Sequence, residues 1–334
     1  MKKTICIARL RSRVKYVKPL EHICDSFYEC LKQFVKNNES EYNFTYYNFG
    51  FDKHNPRNPS EIEKADIIII PSEAEFTYHT PGLVHTLDLK KSNDSVKLVE
   101  PFVNNKQIIL LRSDRRDDKE LYEKYTFPDI KIGKFDIIDE IDFKGNIHAM
   151  KYYFITENKP SILFEEDVTR NLDFCYWGSD KRKGVDGKDS GDVRHDILFD
   201  IFKNINIHSY FIGKFNRFTP QQKFDINFGN IVPYLKKSKS TLCFNWMDEN
   251  ATTSRYAESI ATGMIPFVWK KYDATNTLVK TKWQRIDSSE QFCNTISSMN
   301  YSEKYEEVKL NFLDSILPKQ EYITLFEEKL KKLL

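Results

Sequence analysis

Glycine is scarce in this chain, 11 residues in 334, and none falls in a G-x-G-x-x-G run after the first strand or in a G-x-x-x-x-G-K-[ST] loop. Those patterns let a backbone wrap a dinucleotide pyrophosphate or a nucleoside triphosphate, so dinucleotide enzymes and P-loop NTPases lose ground. The six cysteines (Cys6, Cys24, Cys30, Cys175, Cys243, Cys293) form no C-x-x-C and no Cys/His pair at zinc spacing. Scattered through predicted strands and helices, they read as reduced, mostly buried thiols. No D-x-D triplet occurs, which removes the motif that metal-dependent single-domain sugar transferases use to hold Mn²⁺ or Mg²⁺ against a donor diphosphate. Long apolar runs are missing too. The opening MKKTICIARLRSR has only about five apolar residues before arginines resume, too few for a signal peptide. Nothing elsewhere approaches the ~18 residues of a membrane span. A cytosolic protein is expected. An excess of either charge is also absent: 51 basic against 49 acidic residues leave a net charge of +2. No global field drives the chain onto nucleic acid, and any such binding must come from local clusters.

What is present is length for two domains, each able to bury its own core. Thr4–Ala8 reads as a buried strand, and Leu20, Ile23, Phe27, Leu31 and Phe34 form a helical stripe behind it. Further strands are expected at Phe44–Phe49, Asp66–Ile70 and Gln107–Leu111, the last two being continuous apolar runs of the kind parallel sheets cover on both faces. Short strands follow near Phe135–Ile138 and Lys151–Thr156. Periodicity breaks over Glu157–Asn171, which is expected to carry the hinge. A second α/β series has strands at Leu172–Trp177, His208–Ile212, Ser240–Asn245 and Ile265–Val268. Helices are expected near Arg194–Lys203, Arg255–Gly263, Ser289–Met299 and Glu303–Leu317, with a last amphipathic helix after Pro318. The class is α/β, two doubly wound halves: residues 1–160, residues 171–318, and a terminal helix over 319–334. Gly178–Asp192 is polar and Gly-rich enough for a mobile loop.

The most informative stretch is Thr252–Trp269, TTSRYAESIATGMIPFVW. Arg255 and Glu258 stand at i and i+3, on one face near a helix N-terminus. There an arginine and free backbone N–H groups can hold a diphosphate, while a glutamate can accept from two ribose hydroxyls. The same spacing is also that of an ordinary surface ion pair. The surrounding strand-helix-strand unit puts both residues where α/β folds bind ligands, which favours a sugar-nucleotide site.

Two basic loops stand out in the first half. The first strand runs into Arg9, Arg11, Arg13, Lys15 and Lys18, and the fourth ends at Arg112-Ser113-Asp114-Arg115-Arg116. Strands one and four are expected to be neighbours, so that both loops meet at the carboxyl edge around Asp114. Such a cleft could draw in a polyanion, and Asp114 could take a proton from an acceptor hydroxyl. Alternatively, Asp114, Asp117 and Asp118 balance arginines at a helix N-terminus. Glu21 is either a first-turn glutamate complementing its helix dipole or a ligand to a sugar hydroxyl. Gly178 and Ser179, with Lys181, Arg182 and Arg194 nearby, could close over phosphates or be a solvated loop. Phe228-Gly229-Asn230-Ile231-Val232-Pro233 is expected to be a turn joining two elements, where the backbone of Ile231 could read a uracil edge.

These residues resemble the phage DNA glycosyltransferase family typified by the T-even β-glucosyltransferases, which put glucose on 5-hydroxymethylcytosine in DNA. The resemblance runs through PLEHICDSF, ADIIIIPSEAEF, IILLRSDRR, DFCYWGSDKR, SYFIGK, FGNIVP and TSRYAESIATGMIPFV. It implies a GT-B fold, two Rossmann-like domains facing a central cleft, the first taking the DNA acceptor and the second the UDP-sugar, with the last helix crossing back. It implies Asp114 as general base, Arg255 with Arg194 or Arg182 on the diphosphate, Glu258 on the ribose and Glu21 beside the sugar. The remaining donor-side positions are Gly178, Ser179, Lys181, Gly213 and Ile231. On the DNA side stand Arg11, Arg13, Arg115 and Arg116, and the wedge falls to Phe76, to Tyr78 or to neither. The reaction implied is an inverting transfer to hydroxymethylcytosine flipped out of duplex DNA, inside an infected host cell, by a protein expected to be monomeric.

The chain departs from the family pattern in two loops. Pro71–Gly82 is longer and more acidic, and the phosphate loop is expanded, leaving Lys181, Arg182 and Arg194 as alternatives. Changes near Glu21 and the acceptor loop are compatible with a pentose such as arabinose in place of glucose. No motif requires a divalent metal, although Mg²⁺ or Mn²⁺ could assist. The rival reading is a GT-B transferase of the fucosyltransferase-like kind acting on a surface polysaccharide. The two basic loops, and the lack of a basic amphipathic helix suited to a membrane surface, weigh against it. A DNA-binding protein that keeps the fold without turnover would need neither Arg255 nor Glu258.

Overall fold

A computed structural model describes residues 2–8, 26–47, 59–71, 103–112, 131–140, 143, 147–158, 169–179, 190–215, 217–222, 228–244 and 252–334. The chain divides into two units, Met1–Phe143 with Pro318–Leu334, and Lys144–Leu317. The first boundary thus falls ahead of the 157–171 span, and the final segment belongs to the first unit.

The first unit is built on five parallel strands, β1 (Thr4–Ala8), β2 (Asn43–Tyr47), β3 (Ile67–Ile70), β4 (Gln107–Arg112) and β5 (Lys134–Asp139). Their order is β2-β1-β3-β4-β5. The apolar runs pair as buried parallel strands should: Ile5, Cys6 and Ile7 lie opposite Ile67, Ile68 and Ile69, which lie opposite Gln107, Ile108 and Ile109. Strand alternation gathers Cys6, Ala8, Ile68, Ile70, Ile108 and Leu110 into one core face. Strands one and four are not neighbours, contrary to the expected arrangement, because β3 lies between β1 and β4. The carboxyl ends of β1 and β4 therefore lie about 10 Å apart, two strand spacings.

Helix α1 (Ser26–Asn38) packs against the last helix of the chain, α9 (Lys319–Lys331), with Phe27 and Phe326 ring centroids 5.7 Å apart. Asn37 and Asn38 each donate to the Glu327 carboxylate at 3.1 Å. Gln107 donates to the Leu333 carbonyl at 2.7 Å, tying the end of the chain to the start of β4. A short helix, α2 (Pro59–Glu63), precedes β3.

The second unit repeats the plan. Strands β6 (Leu172–Ser179), β7 (Ser209–Lys214), β8 (Ser238–Cys243), β9 (Ile265–Trp269) and β10 (Arg285–Ile286) are all parallel, in the order β10-β9-β8-β6-β7. In both sheets the second strand adds on one side of the first and the third on the other. The topological switch points, where doubly wound folds bind ligands, are therefore β1/β3 and β6/β8.

Two elements differ from the sequence expectation. Lys151–Thr156 is not a strand but part of a helix, α3 (Met150–Asn158), which follows a single 3-10 turn. Its aromatic and β-branched residues have strand propensity, and packing overrides it: Met150, Lys151, Tyr152 and Ile155 are all buried. The expected turn at Phe228–Pro233 is likewise a helix, α5 (Phe228–Lys236), with Pro233 inside it. The remaining helices are α4 (Ser190–Lys203), α6 (Ser254–Ala261), α7 (Ser289–Ser298) and α8 (Tyr301–Ser315).

Candidate functional site

The carboxyl edge of the second sheet is shaped by two glycines. Gly178 and Gly213 are the next-to-last residues of β6 and β7, and the two are register partners. Both have φ near +140° (141° and 142°), which L side chains rarely adopt. A Cβ on Gly213 would lie 1.7 Å from the Gly178 carbonyl oxygen, and one on Gly178 would lie 2.8 Å from Arg255 Nη2. The edge is bare backbone because no side chain fits, and an arginine occupies the space beside it.

That arginine is presented by α6, which begins just beyond β8. Thr253 caps the helix in extended conformation but makes no side-chain cap bond; its carbonyl accepts from Tyr256 N–H at 3.0 Å, which leaves the N–H groups of Ser254 and Arg255 to another acceptor. Its own N–H is held by the Tyr272 hydroxyl at 2.7 Å. At the other end the helix closes through Gly263, φ 79°, with Met264 N–H donating to Ser259 O at 2.8 Å and Gly263 N–H to Ile260 O at 3.1 Å. This is a Schellman closure, and it accounts for the Gly-Met-Ile-Pro turn into β9. Arg170 clamps the same corner, donating to Ser238 O at 2.6 Å and Thr262 O at 3.0 Å.

Arg255 lies over the rings of Tyr176 and Trp177, 4.5 and 4.9 Å from their centroids, and donates through Nη2 to the Trp177 carbonyl. Its Nε–H is buried without an acceptor. A guanidinium carries five N–H donors, so beyond the Trp177 carbonyl and the Tyr176 side chain some remain for an anion. Arg194, on the second turn of α4, lies 5.0 Å over the ring of Phe244, just past β8. The Tyr176 and Phe244 rings are 6.4 Å apart. Two arginines from different helices are thus seated on one aromatic pair at the β6/β8 switch point. Below them Cys175 on β6 and Cys243 on β8 are pushed up to about 12 by burial, so both remain neutral thiols.

Glu258 is buried, and its Oε1 accepts from Lys151 Nζ on α3 rather than from Arg255. Ile231 is buried within α5, where peptide groups are committed to the helix ladder rather than to a turn. Ser179, the last residue of β6, pairs in register with Lys214. The structure therefore brings Gly178, Gly213, Arg194 and Arg255 into one region and sets Glu258 one turn below Arg255. Glu21, Arg11, Arg13, Phe76, Tyr78, Asp114, Arg115, Arg116, Lys181 and Arg182 lie outside the described residues. Sequence reasoning missed Tyr176, Trp177, Phe244 and Lys151, since nothing local to them marks a site; their partners are distant in the chain. Among the described residues no group of three or more His, Cys, Asp or Glu side chains could hold a metal ion. No described helix is long and apolar enough to cross a membrane.

Two doubly wound parallel-sheet units with this strand order define the GT-B fold. No protein-family model and no curated protein matches the sequence. Among solved structures the chain is similar to a DNA-modifying β-glucosyltransferase studied with and without uridine diphosphoglucose, at 13% identity and TM-score 0.60, covering 99% of each chain. It is similar to T4 phage β-glucosyltransferase in complex with UDP and Mn²⁺, at 11% identity and TM-score 0.56, again over 99% of each chain. An α-glucosyltransferase in complex with UDP-glucose and DNA containing an abasic site matches at 12% identity and TM-score 0.53, over 100% of this chain and 99% of that one. At such identities the likeness is one of fold.

Proposed function

We propose that this chain is a UDP-sugar-dependent glycosyltransferase that modifies DNA. The observation that carries the reading is the seat of Arg255 at the β6/β8 switch point. Its guanidinium is held on two ring faces beside a glycine edge that excludes side chains, with donors to spare beyond the Trp177 carbonyl. A diphosphate there would meet Arg255, Arg194 and the first-turn N–H groups of α6, an arrangement that stabilises the charge of a departing nucleotide without a metal. The solved structures of similar fold include DNA-modifying glucosyltransferases bound to UDP-glucose and to DNA, which supports both substrates.

In this reading the second unit, Lys144–Leu317, binds the donor, the first unit binds duplex DNA, and Pro318–Leu334 completes that first unit. Glu258 takes the ribose hydroxyls, Ser179 with Lys181 or Arg182 closes on the phosphates, and Glu21 faces the sugar. The Asp114 carboxylate removes the proton of the hydroxymethylcytosine hydroxyl as its oxygen bonds to the anomeric carbon. The bond from that carbon to the diphosphate oxygen breaks, and UDP leaves with the electron pair, inverting the sugar carbon. The base is flipped from the stack to reach this site, and Arg11, Arg13, Arg115 and Arg116 hold phosphates. The sugar is glucose or a pentose such as arabinose. The fold alone does not dictate stereochemistry, since its neighbours include enzymes named for α and for β products.

The test is nucleoside mass spectrometry of hydroxymethylcytosine DNA and of unmodified DNA after incubation with the protein and a panel of UDP-sugars. A hexose or pentose mass gain on hydroxymethylcytosine alone, abolished in Asp114→Ala, is expected. Binding of UDP with no mass gain from any donor would move the acceptor to a polysaccharide.

A further inference from the structure

Arg255 and Glu258 stand three residues apart on one helix face, where a guanidinium and a carboxylate ordinarily join. Here they do not. Arg255 turns to the Trp177 carbonyl and the two rings, while Glu258 Oε1 accepts from Lys151 Nζ. Lys151 is 1% exposed and Glu258 6%. Among the described residues nothing else bonds the Glu258 carboxylate, so Oε1 is committed and Oε2 is not.

Aromatic rings pack close by, with Tyr152 of α3 and Tyr256 of α6 both against the Phe312 ring at 5.4 and 5.8 Å. In such surroundings an apolar pair of the same volume is often at least as stable as a buried ion pair. Stability alone is therefore a poor reason for a lysine and a glutamate at these positions. The consequence of the pair is positional: it keeps the carboxylate from closing onto the arginine one turn above.

We propose that Lys151 is a positioning residue of the donor site. It draws Glu258 away from Arg255, leaving the guanidinium to the diphosphate, and fixes the carboxylate with Oε2 turned to the ribose hydroxyls. The inference rests on the donor reading above. It assigns to a residue outside the nucleotide's own contacts the selectivity for a ribonucleoside diphosphate over one lacking ribose hydroxyls.

Calorimetric titration of UDP, uridine and 2′,3′-dideoxy-UDP into wild type, Lys151→Met, Glu258→Gln and the double variant tests it. Wild type should prefer UDP to the dideoxy analogue by about tenfold to a hundredfold, the span of a hydrogen bond to a charged group. In Lys151→Met, Glu258 is released to Arg255, and the preferences for UDP over the dideoxy analogue and over uridine should each shrink by about tenfold. In Lys151→Met/Glu258→Gln no carboxylate remains to capture Arg255, so the preference over uridine should return while the ribose preference stays lost. Removing the cation alone strands a buried carboxylate and can unfold the chain. The double variant, with neither charge, then decides. If it keeps the ribose preference, or lacks the preference over uridine, the proposal is overturned. A folded Lys151→Met that melts earlier yet keeps both preferences also overturns it, leaving Lys151 merely structural. Equal binding of UDP and its dideoxy analogue by both wild type and Glu258→Gln is a separate failure, that of the ribose assignment itself.

Discussion

Gly178→Ala separates the contribution of the Arg255 seat from that of the fold around it. The new methyl would force a φ of 141° on an L residue, a cost of about 1–3 kcal/mol. It would also sit 2.8 Å from Arg255 Nη2 and 3.6 Å from the Tyr176 ring. The ring contact is ordinary, but the guanidinium must retreat by roughly half an ångström or more to reach normal separation. It is the far end of a flexible side chain and can move, yet moving loosens its bond to the Trp177 carbonyl and shifts the donors proposed to meet a diphosphate. One weakened charge-assisted bond is worth about 1.5 kcal/mol, or roughly tenfold in affinity. Urea unfolding should therefore show a loss of about 1–3 kcal/mol. Calorimetry should show UDP weakened about tenfold with uridine unchanged. Gly213→Ala is the contrast: its Cβ would lie 1.7 Å from a backbone oxygen that cannot step aside, so no folded protein is expected. If Gly178→Ala binds UDP as wild type does, Arg255 is not at the diphosphate. If UDP and uridine weaken alike, the defect is a distorted pocket rather than a displaced guanidinium.

Phe326→Ala should cost about 3–5 kcal/mol in urea unfolding, because Phe326 is fully buried against Phe27; a loss under 1 kcal/mol would refute the docking of α9 on α1. Although burial pushes the Glu327 carboxyl up, hydrogen bonds from Asn37, Lys331 and Asn38 hold it below its ordinary 4.5. Its contribution to stability is thus present above that value and lost as pH falls through the depressed one. Glu327→Gln should flatten the acid limb of the stability profile, and an unchanged limb would count against the contact. Cys175 and Cys243 are pushed up from 9.0 to about 12 by burial, so their contribution is intact below 9.0 and declines as pH rises toward 12. At pH 8 a thiol reagent should label neither until urea unfolds the second unit, and rapid labelling of either in the native protein would refute their burial.

Much of the fold is legible because buried parallel strands are written as unbroken apolar runs. Ile67–Ile70 and Ile265–Trp269 could hardly be anything else. Strand order is not written there. It depends on where each crossover returns, and no periodicity within a strand reports that, so β3 was free to lie between β1 and β4. Helix α3 reads as a strand because Tyr152, Tyr153, Phe154, Ile155 and Thr156 favour extended backbone when taken alone; Phe312 and Glu258, which stabilise it as a helix, are far along the chain. In α5 the internal Pro233 suggests a turn, whereas a proline five residues from the helix start removes only one ladder bond.

The site divides in the same way. A spacing of i and i+3 states that Arg255 and Glu258 share a helix face, and it states equally that they can neutralise each other. Which outcome holds is decided by third parties. Tyr176 and Trp177, 78 and more residues upstream, offer the arginine a seat with no negative charge, and Lys151, 107 residues upstream, engages the carboxylate. Only with both in place do the two side chains remain separate and open to a ligand. A local motif of this kind therefore carries functional weight in proportion to the distant residues that keep its members apart. The same motif on a chain with a small residue at the position of Lys151 should bind a nucleoside diphosphate weakly, however well its helix and glycine edge are preserved.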